Sequence, residues 1–326
     1  MTTPPPPEPV TIAIAGDTSF TDGLHTADPL GQIADVLAGY DYAMVNLETA
    51  VADPGVGSPP VAKRFLFRSP PESLDLLVAA GVDGVTLGNN HVLDYGVDAV
   101  AQTLVELDSR GIDRVGAGND EAEAYTPLIV EVGEWRVAIH SFSRVPCDWS
   151  AQGENLRPQV AWACPPFLER ADAEIIEAMV DADVTIVNVH GGAEGELCPS
   201  DFMVDLYDHW AALGVDAVVS GHPHVVQGVR VIDDTSVALS TGNFAFPPAR
   251  GLTANSIIVE LTISGVPGAA DVELSILPVR ADGGVVRPAS EARHTEILEQ
   301  VNRHSSGARL DADGRLVVDP SHDGVC

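Results

Sequence analysis

The chain has 326 residues, with 48 Asp and Glu but only 17 Lys and Arg, and its formal net charge is −31. This balance excludes a protein that binds nucleic acid through a basic surface, and no apolar run approaches the roughly 20 residues that a membrane-spanning helix needs. Hydrophobic residues make up 45% of the chain, which is enough for a folded core.

The N-terminus and the cysteines give the first expectations about compartment. The opening stretch, MTTPPPPEPV, has neither the basic start nor the apolar core of a secretory signal, so we expect residues 1–9 to form a disordered proline-rich arm. The cysteines, Cys147, Cys164, Cys198 and Cys326, show no C-x-x-C spacing and indicate neither a disulfide framework nor a structural zinc ribbon. We therefore expect a cytoplasmic protein without a membrane anchor.

Residues 10–225 alternate between short β-branched runs and Ala- and Leu-rich amphipathic stretches, which indicates a layered α/β domain. The predicted strands are Val10–Ala15, Tyr42–Asn46, Gly84–Leu87, Arg136–Phe142, Val184–Val189 and Ala217–Ser220. The predicted helices are Pro29–Ala38, Pro71–Ala80, Val97–Arg110, Pro166–Asp181 and Ser200–Leu213. Three joints, at Gly81, Gly111 and Gly214, place glycine where a helix ends, a position that favours its left-handed conformation.

The chain changes character after residue 228, where strands follow one another with Gly, Pro and Asp turns and no long helix between them. We expect antiparallel pairing here. The predicted strands are Ser236–Ser240, Ser256–Ile263 and Val272–Val279. Glu291–Arg303 is a predicted helix and Leu310–Val318 a predicted hairpin with a central Asp-Gly turn. We expect one domain over residues 10–280, with residues 281–326 packed on it as a helix and hairpin extension.

Most of the predicted strands in the first part end at residues able to bind a metal ion. The carboxyl ends of strands in open α/β sheets border the ligand crevice, so these side chains should converge on one rim. The clusters are Gly16-Asp17, Asn46-Leu47-Glu48, Gly88-Asn89-Asn90-His91, His190-Gly191-Gly192 and Ser220-Gly221-His222-Pro223-His224. Imidazoles suit zinc or iron, while carboxylate and amide oxygens favour manganese.

Each cluster also has a structural interpretation. A Gly-Asp pair after a strand is usually a turn, whereas two histidines that flank a proline are hard to explain by packing, so His222 and His224 are the strongest ligand candidates. We interpret His140, which is alone on an apolar strand, as a hydrogen-bonded core residue, and His209 as a helix-face residue.

The order of these motifs resembles that of the bacterial CapA family, which is linked to poly-γ-glutamate capsule synthesis and belongs to the calcineurin-like metallophosphoesterase superfamily. The resemblance extends from Val10 to Phe246, and its most specific parts are the Asn-Asn-His and Gly-His-Pro-His blocks. It implies a metallophosphatase-like α/β fold, a sandwich of two facing mixed β-sheets flanked by helices.

The resemblance also implies a role for each motif residue around one or two divalent ions, with manganese, iron or zinc favoured. The implied ligands are Asp17 and His224 for the first ion, Asn90, His190 and His222 for the second, and Glu48 as the bridge between them. His91 would be the general acid, and Asp94 would orient its imidazole.

The chain departs from the family pattern at three points, the first of which is that Glu48 takes the place of the usual bridging aspartate. Ser19 stands where the superfamily usually has a histidine ligand, which leaves the number of ions open, and His25 is a candidate replacement. Gly191 and Gly195 stand where CapA proteins have aromatic residues, which indicates a roomier substrate mouth.

Cationic residues are candidates for substrate binding in this acidic chain. The segment 63–68 holds three of the 17 cations, including Lys63, the only lysine. It is either an edge strand with solvated ends or an anion clamp. The candidate substrate-binding residues are Arg64, Arg68, Arg144, Glu194 and Asn243.

Two functions fit the sequence. The first is a metal-dependent hydrolase of the phosphoesterase type, or one directed at an amide or γ-glutamyl bond, that uses metal-activated water and His91 as general acid. The alternative is a non-catalytic or weakly catalytic accessory protein that binds a poly-γ-glutamate-like or other anionic polymer or peptide and assists a partner synthetase. The Asn90-His91…Asp94 unit favours the first function, and Ser19 favours the second.

Overall fold

Two β-sheets lie face to face at the centre of the molecule, in a computed structural model that describes residues 6–60, 62–145, 147, 159–247 and 249–326. Residues 1–5 of the expected N-terminal arm lie outside the described residues. The strands are β1 (Val10–Thr18), β2 (Tyr42–Leu47), β3 (Ala50–Val51), β4 (Arg68–Ser69), β5 (Gly84–Thr86), β6 (Asp113–Val115), β7 (Leu128–Val132), β8 (Trp135–Ser143), β9 (Val184–His190), β10 (Ala217–Gly221), β11 (Val229–Ile232), β12 (Thr235–Ala238), β13 (Asn255–Val266), β14 (Ala269–Asp282), β15 (Val285–Pro288), β16 (Ser306–Leu310) and β17 (Leu316–Asp323). The α-helices are α1 (Ala34–Leu37), α2 (Leu74–Ala79), α3 (Val97–Ser109), α4 (Glu121–Tyr125), α5 (Leu168–Ala178), α6 (Asp201–Leu213) and α7 (Glu291–Arg303).

Both sheets are mixed. The first has the strand order β15-β14-β13-β1-β2-β5-β6, parallel from β1 to β6, and the second has the order β11-β12-β10-β9-β8-β7, parallel from β12 to β8. Ile14 and Met44 of the first sheet pack with Ile139 and Ile186 of the second in the core between them. Helices α2 and α3 cover the outer face of the first sheet, and α5 and α6 cover that of the second. This is the expected sandwich of two facing mixed sheets flanked by helices.

The central strands are buried on both faces, which explains their nearly continuous apolar sequences. All seven residues of β9 are buried, as are all but one residue of β1. Because β2 runs parallel to β1 and β10 parallel to β9, the polar residues that end each pair of strands lie side by side.

Several local predictions are confirmed. Helix α7 spans the predicted Glu291–Arg303, and the predicted hairpin is β16–β17. The glycines that end helices, Gly81, Gly111 and Gly214, have left-handed φ values of 77°, 67° and 91°. Among the described residues, none of the helices combines the length and the hydropathy needed to cross a bilayer.

Two local predictions are wrong. The helix predicted over Pro29–Ala38 covers only Ala34–Leu37, because turns around Gly31, a poor helix former, precede it. The antiparallel pairing expected after residue 228 fails at β12, which pairs antiparallel with β11 but parallel with β10. The unpredicted strand β11 occupies the sheet edge and turns back through Asp233, which inserts β12 between β11 and β10.

The four cysteines form two disulfides, contrary to the expectation from their spacing. Cys147 is bonded to Cys164, and Cys198 to Cys326. The second pair is 128 residues apart, so no local spacing indicates it. This disulfide ties the loop after β9 to the segment after β17.

We expect reduction of both disulfides to lower the free energy of unfolding by about 2–5 kcal/mol, because each cross-link restricts the unfolded chain. Urea unfolding with and without a reductant measures the difference. The double variant Cys198→Ser/Cys326→Ser should lose more stability than Cys147→Ser/Cys164→Ser, since its residues are 128 apart rather than 17. Equal unfolding midpoints for oxidised and reduced protein would contradict the prediction.

Candidate metal centre

The six expected ligands lie together at one end of the sandwich. The first sheet contributes Asp17 in β1, Glu48 after β2 and Asn90 after β5, and the second contributes His190 at the end of β9 and His222 and His224 after β10. Asn90 bridges the two sets, because its Oδ1 lies 2.8 Å from Nε2 of His190.

The titratable members form two groups that share Glu48. One is Glu48, His190 and His222, the other is Asp17, Glu48 and His224, and in each group the candidate ligand atoms lie within 4.8 Å of one another. Nε2 of His190 is 3.2 Å from Oε1 of Glu48, and Nδ1 of His224 is 3.1 Å from Oδ2 of Asp17. The arrangement offers two neighbouring cation positions with one carboxylate in common.

The carboxylate of Glu48 shows that the residues fit a metal ion. Its side chain is completely buried, and neither oxygen accepts a hydrogen bond from the described part of the chain. Burying two such acceptors without a partner is costly, and a cation removes that cost. Imidazole, carboxylate and amide donors together suit a divalent ion such as manganese, iron or zinc.

Close backbone contacts fix the position of Asp17. Its N–H donates to the carbonyl oxygen of Gly242 over 3.0 Å. A Cβ at Gly16 would lie only 2.0 Å from that same oxygen, and one at Gly221 would lie 2.8 Å from Oδ1 of Asp17. Glycine at position 16 therefore lets the backbone of Gly242 approach β1, and glycine at position 221 lets β10 approach the Asp17 carboxylate.

The two histidines of the Gly-His-Pro-His block have unfavourable backbone conformations. The φ angles are 97° at His222 and 56° at His224, a region that residues with a Cβ seldom adopt. Strain of this kind concentrates at functional sites, where the surrounding structure holds it in place. The two imidazoles, separated only by Pro223, both lie in groups that contain the Glu48 carboxylate.

Charges within the cluster strongly shift the pKa of three groups. Burial acts to raise the pKa of Asp17, but the hydrogen bond with His224 and the charges of His190 and His224 hold it well below its usual range. Burial lowers the pKa of His222, and the charges of His190 and His224 lower it further. Burial opposes the charge on His224, yet Glu48 and Asp17 raise its pKa to about 10. A metal that binds His224 must therefore displace a proton.

His91 lies beside the cluster and is paired with a buried carboxylate. Its Nδ1 is 2.6 Å from Oδ2 of Asp94, and its Nε2 is 3.7 Å from Oε1 of Glu48. The ring stacks on Phe67 with centroids 4.0 Å apart. Lys63 and Phe67, which were not among the predicted site residues, both contact Asp94.

The segment 63–68 is mostly not a strand, because β4 begins only at Arg68. The Arg68 guanidinium donates to the carbonyl oxygens of Asp53 and Val56 over 2.9 and 2.7 Å and packs on the Tyr95 ring. Arg68 is therefore bound to a neighbouring loop, which fits neither the solvated strand end nor the anion clamp that the sequence left open. Arg64 is exposed, with its guanidinium 5.0 Å from the ring centre of Phe65.

The other candidate substrate-binding residues have distinct surroundings. The backbone N–H of Arg144 donates to His190 O over 2.8 Å, and among the described residues no carboxylate pairs with its guanidinium. Asn243 lies behind the site, with Oδ1 2.9 Å from Nδ1 of His224 and its amide donating to Thr253 O, so it orients that imidazole. Glu194 is exposed on the loop after β9.

The remaining histidines lie outside both groups. His140 is buried against Phe142, as expected of a core residue, and burial lowers its pKa to about 4. The expected hydrogen bond is absent, because neither ring nitrogen has a partner among the described residues. His209 lies on the face of α6, 2.9 Å from Asp172. His25 joins neither group. Ser19 is buried, and its hydroxyl donates to Thr21 over 3.3 Å.

Comparison with known sequences links the chain to one protein family. A family model described as "Bacterial capsule synthesis protein PGA_cap" matches residues 11–248. The PGA biosynthesis protein CapA of Bacillus subtilis is 26% identical over 80% of this chain and 67% of its own length. The capsule biosynthesis protein CapA of Bacillus anthracis is 24% identical over 80% and 63%. A probable polyglutamine synthesis accessory protein of Mycobacterium tuberculosis is 26% identical over 85% and 76%. The chain thus spans about two thirds of the length of the Bacillus relatives.

Comparison with solved structures identifies the fold. A phosphatase of Mycoplasma pneumoniae aligns with a TM-score of 0.51 and 13% identity, covering 85% of this chain and 95% of that one. A putative 5′-nucleotidase of Staphylococcus aureus aligns with a TM-score of 0.51 and 16% identity, covering 90% and 58%. The architecture is metallophosphatase-like.

Proposed function

The chain belongs to the bacterial capsule synthesis protein family PGA_cap, which includes the CapA relatives, and from this we propose that it is a metal-dependent hydrolase of the phosphoesterase type. Asp17, Glu48, Asn90, His190, His222 and His224 would hold the metal. A bound divalent cation supplies Lewis-acid polarisation of a phosphoryl oxygen and lowers the pKa of water.

The pairing of His91 with Asp94 is the observation that carries this proposal. Because Nδ1 faces the buried Asp94 carboxylate over 2.6 Å, Nε2 is left facing the ligand cluster, 3.7 Å from Glu48. Asp94 orients the ring so that a proton on Nε2 can pass to the oxygen of a departing alcohol. A protein that only binds its ligand does not need such a pair.

A non-catalytic or weakly catalytic accessory role is the second candidate, and Ser19 favours it. The buried serine bonds to Thr21 and offers no imidazole, so the group of Asp17, Glu48 and His224 has three donors. The relatives are named as PGA or capsule biosynthesis proteins, and one as a probable polyglutamine synthesis accessory protein. In this role the chain would bind an anionic polymer or peptide and assist a partner synthetase.

The disulfides bear on the compartment in which the protein works. Structural disulfides persist in oxidising compartments and are rare in the cytoplasm. The two disulfides therefore favour an oxidising compartment over the cytoplasm that the sequence suggested.

Metal analysis combined with turnover assays tests the proposed hydrolysis. We expect purified protein to retain a divalent metal and to hydrolyse generic phosphomonoesters or phosphodiesters with added Mn²⁺, and chelation to abolish turnover. Assays on γ-glutamyl amides test the amide-directed form of the same chemistry. Bound metal without turnover of any of these substrates would favour the accessory role, and protein that takes up no metal would contradict both the ligand set and the hydrolysis.

A further inference from the structure

We propose that Lys63 is a positioning residue that holds the His91–Asp94 pair in its working orientation, an inference that rests on the proposed acid role of His91. Lys63 Nζ lies 2.7 Å from Asp94 Oδ1 and also contacts the carbonyl oxygen of Asn90. A single ammonium group thus joins the carboxylate that orients His91 to the residue immediately before His91.

Asp94 is fully satisfied by the segment that contains Lys63. Its side chain is completely buried, with Oδ1 accepting from Lys63 and Oδ2 from the backbone N–H of Phe67 over 2.7 Å and facing His91 Nδ1 over 2.6 Å. Removing one partner of a buried ion pair leaves the other charge uncompensated, which is strongly unfavourable. The orientation of Asp94 therefore depends on Lys63.

Phe67 completes the support of the imidazole. Its ring stacks on His91 at 4.0 Å and meets Phe246 edge-on at 5.4 Å. The segment from Lys63 to Phe67 thereby fixes one end of the Asp94 carboxylate with a charge, the other end with a backbone N–H, and the face of His91 with an aromatic ring. Arg64 and Phe65, between these contacts, are exposed.

The composition of the chain agrees with a specific task for this side chain. Lys63 is the only lysine among 17 Lys and Arg. An ammonium is a compact charge whose three donors rotate freely, so it reaches a carboxylate and a carbonyl in different directions. Its side chain is 21% exposed, so the charge reaches the buried pair from the edge of the site.

The dependence on the leaving group separates positioning from general stabilisation. A poor leaving group such as an alkoxide needs the proton of His91, whereas p-nitrophenolate departs with little help. We expect Lys63→Met to lower kcat for an alkyl phosphate ester by about 10–100-fold, to change kcat for the p-nitrophenyl ester little, and to leave KM unchanged for both. Lys63→Arg, which keeps the charge, should restore much of the loss. An equal loss on both esters, or no loss, would overturn the proposal, and so would a rise in KM, which would indicate direct substrate binding.

A spectroscopic test works even if the protein turns over no phosphoester. Two-bond ¹⁵N–¹H correlation spectra of metal-free, [¹⁵N]histidine-labelled protein report both ring nitrogens through carbon-bound protons, and His91→Ala assigns the signal. We expect Lys63→Met to shift both ring nitrogens of His91, and Lys63→Arg to keep them near the wild-type positions. Arg64→Met, an exposed neighbour, is the control for this spectrum. Unchanged His91 signals in a folded Lys63→Met protein would refute the positioning role. Absent turnover with the expected shifts would refute only the proposed hydrolysis.

Discussion

The variant His91→Ala is expected to lower turnover of an alkyl phosphate ester, whose poor leaving group needs a proton, by about 100–10,000-fold, the range typical of general acid–base groups, while its metal content stays that of wild type. The physical reason is that the proposed proton donor and the candidate metal ligands are different residues. His91 is directed to Asp94 through Nδ1 and belongs to neither group of candidate ligands. Elemental analysis and kcat, measured on the same preparation, test both halves of the prediction.

His209→Ala is a suitable control for that experiment, because His209 lies on α6 and contacts Asp172, away from the candidate ligands. It should retain both metal and activity. Equal turnover in wild type and His91→Ala would remove the acid role. Loss of metal from His91→Ala would instead mean that the imidazole is a ligand.

The variant Glu48→Gln is expected to lose most of the stabilisation that a metal gives the wild type. The free energy of unfolding of the wild type should rise by about 2.7 kcal/mol at a metal concentration 100 times Kd. Both buried oxygens of Glu48 lack hydrogen-bond partners in the described chain, so they are available as ligand atoms. In a chelator the difference should vanish or favour Glu48→Gln, since the neutral amide avoids the cost of burying a carboxylate. Thermal unfolding with and without Mn²⁺ measures both differences.

Glu131→Gln is the matched control, because Glu131 is exposed and pairs with Arg136 at the surface. Its unfolding temperature should rise with metal as in the wild type. If Glu48→Gln responds to metal as strongly as the wild type, Glu48 is not a shared ligand.

The positions of the metal-binding candidates were predictable because a short apolar run that stops at polar residues marks the end of a strand in the local sequence. Parallel neighbours such as β9 and β10 place His190 and the residues after Gly221 at one edge, so recognising two strands is enough to bring their ends together. The sandwich of two facing mixed sheets was expected from the family resemblance, and the strand order within each sheet was not predicted, since periodicity alone does not give strand neighbours. The short run 229–232 was missed, and with it the parallel pairing of β12.

Contacts between distant segments were not predictable from local patterns. The Cys198–Cys326 disulfide joins residues 128 apart, and its partners approach only when the C-terminal hairpin has packed. The ion pair of Lys63 with Asp94 depends in the same way on how an irregular segment crosses the loop after β5. The sequence marked the segment as cationic and left open an edge strand with solvated ends or an anion clamp, and neither alternative included Asp94.

The donors of the cluster come from both layers of the sandwich, with Asp17 and Glu48 on one and His190 and His222 on the other. The separation of these donors is therefore governed by the apolar residues between the layers, among them Ile14 and Ile186. Ions differ in preferred bond length and coordination geometry, and a close-packed interior transmits small volume changes. Selectivity of the proposed metal site is thus expected to depend partly on the interior, and substitutions far from the candidate ligands should alter which ion the protein prefers.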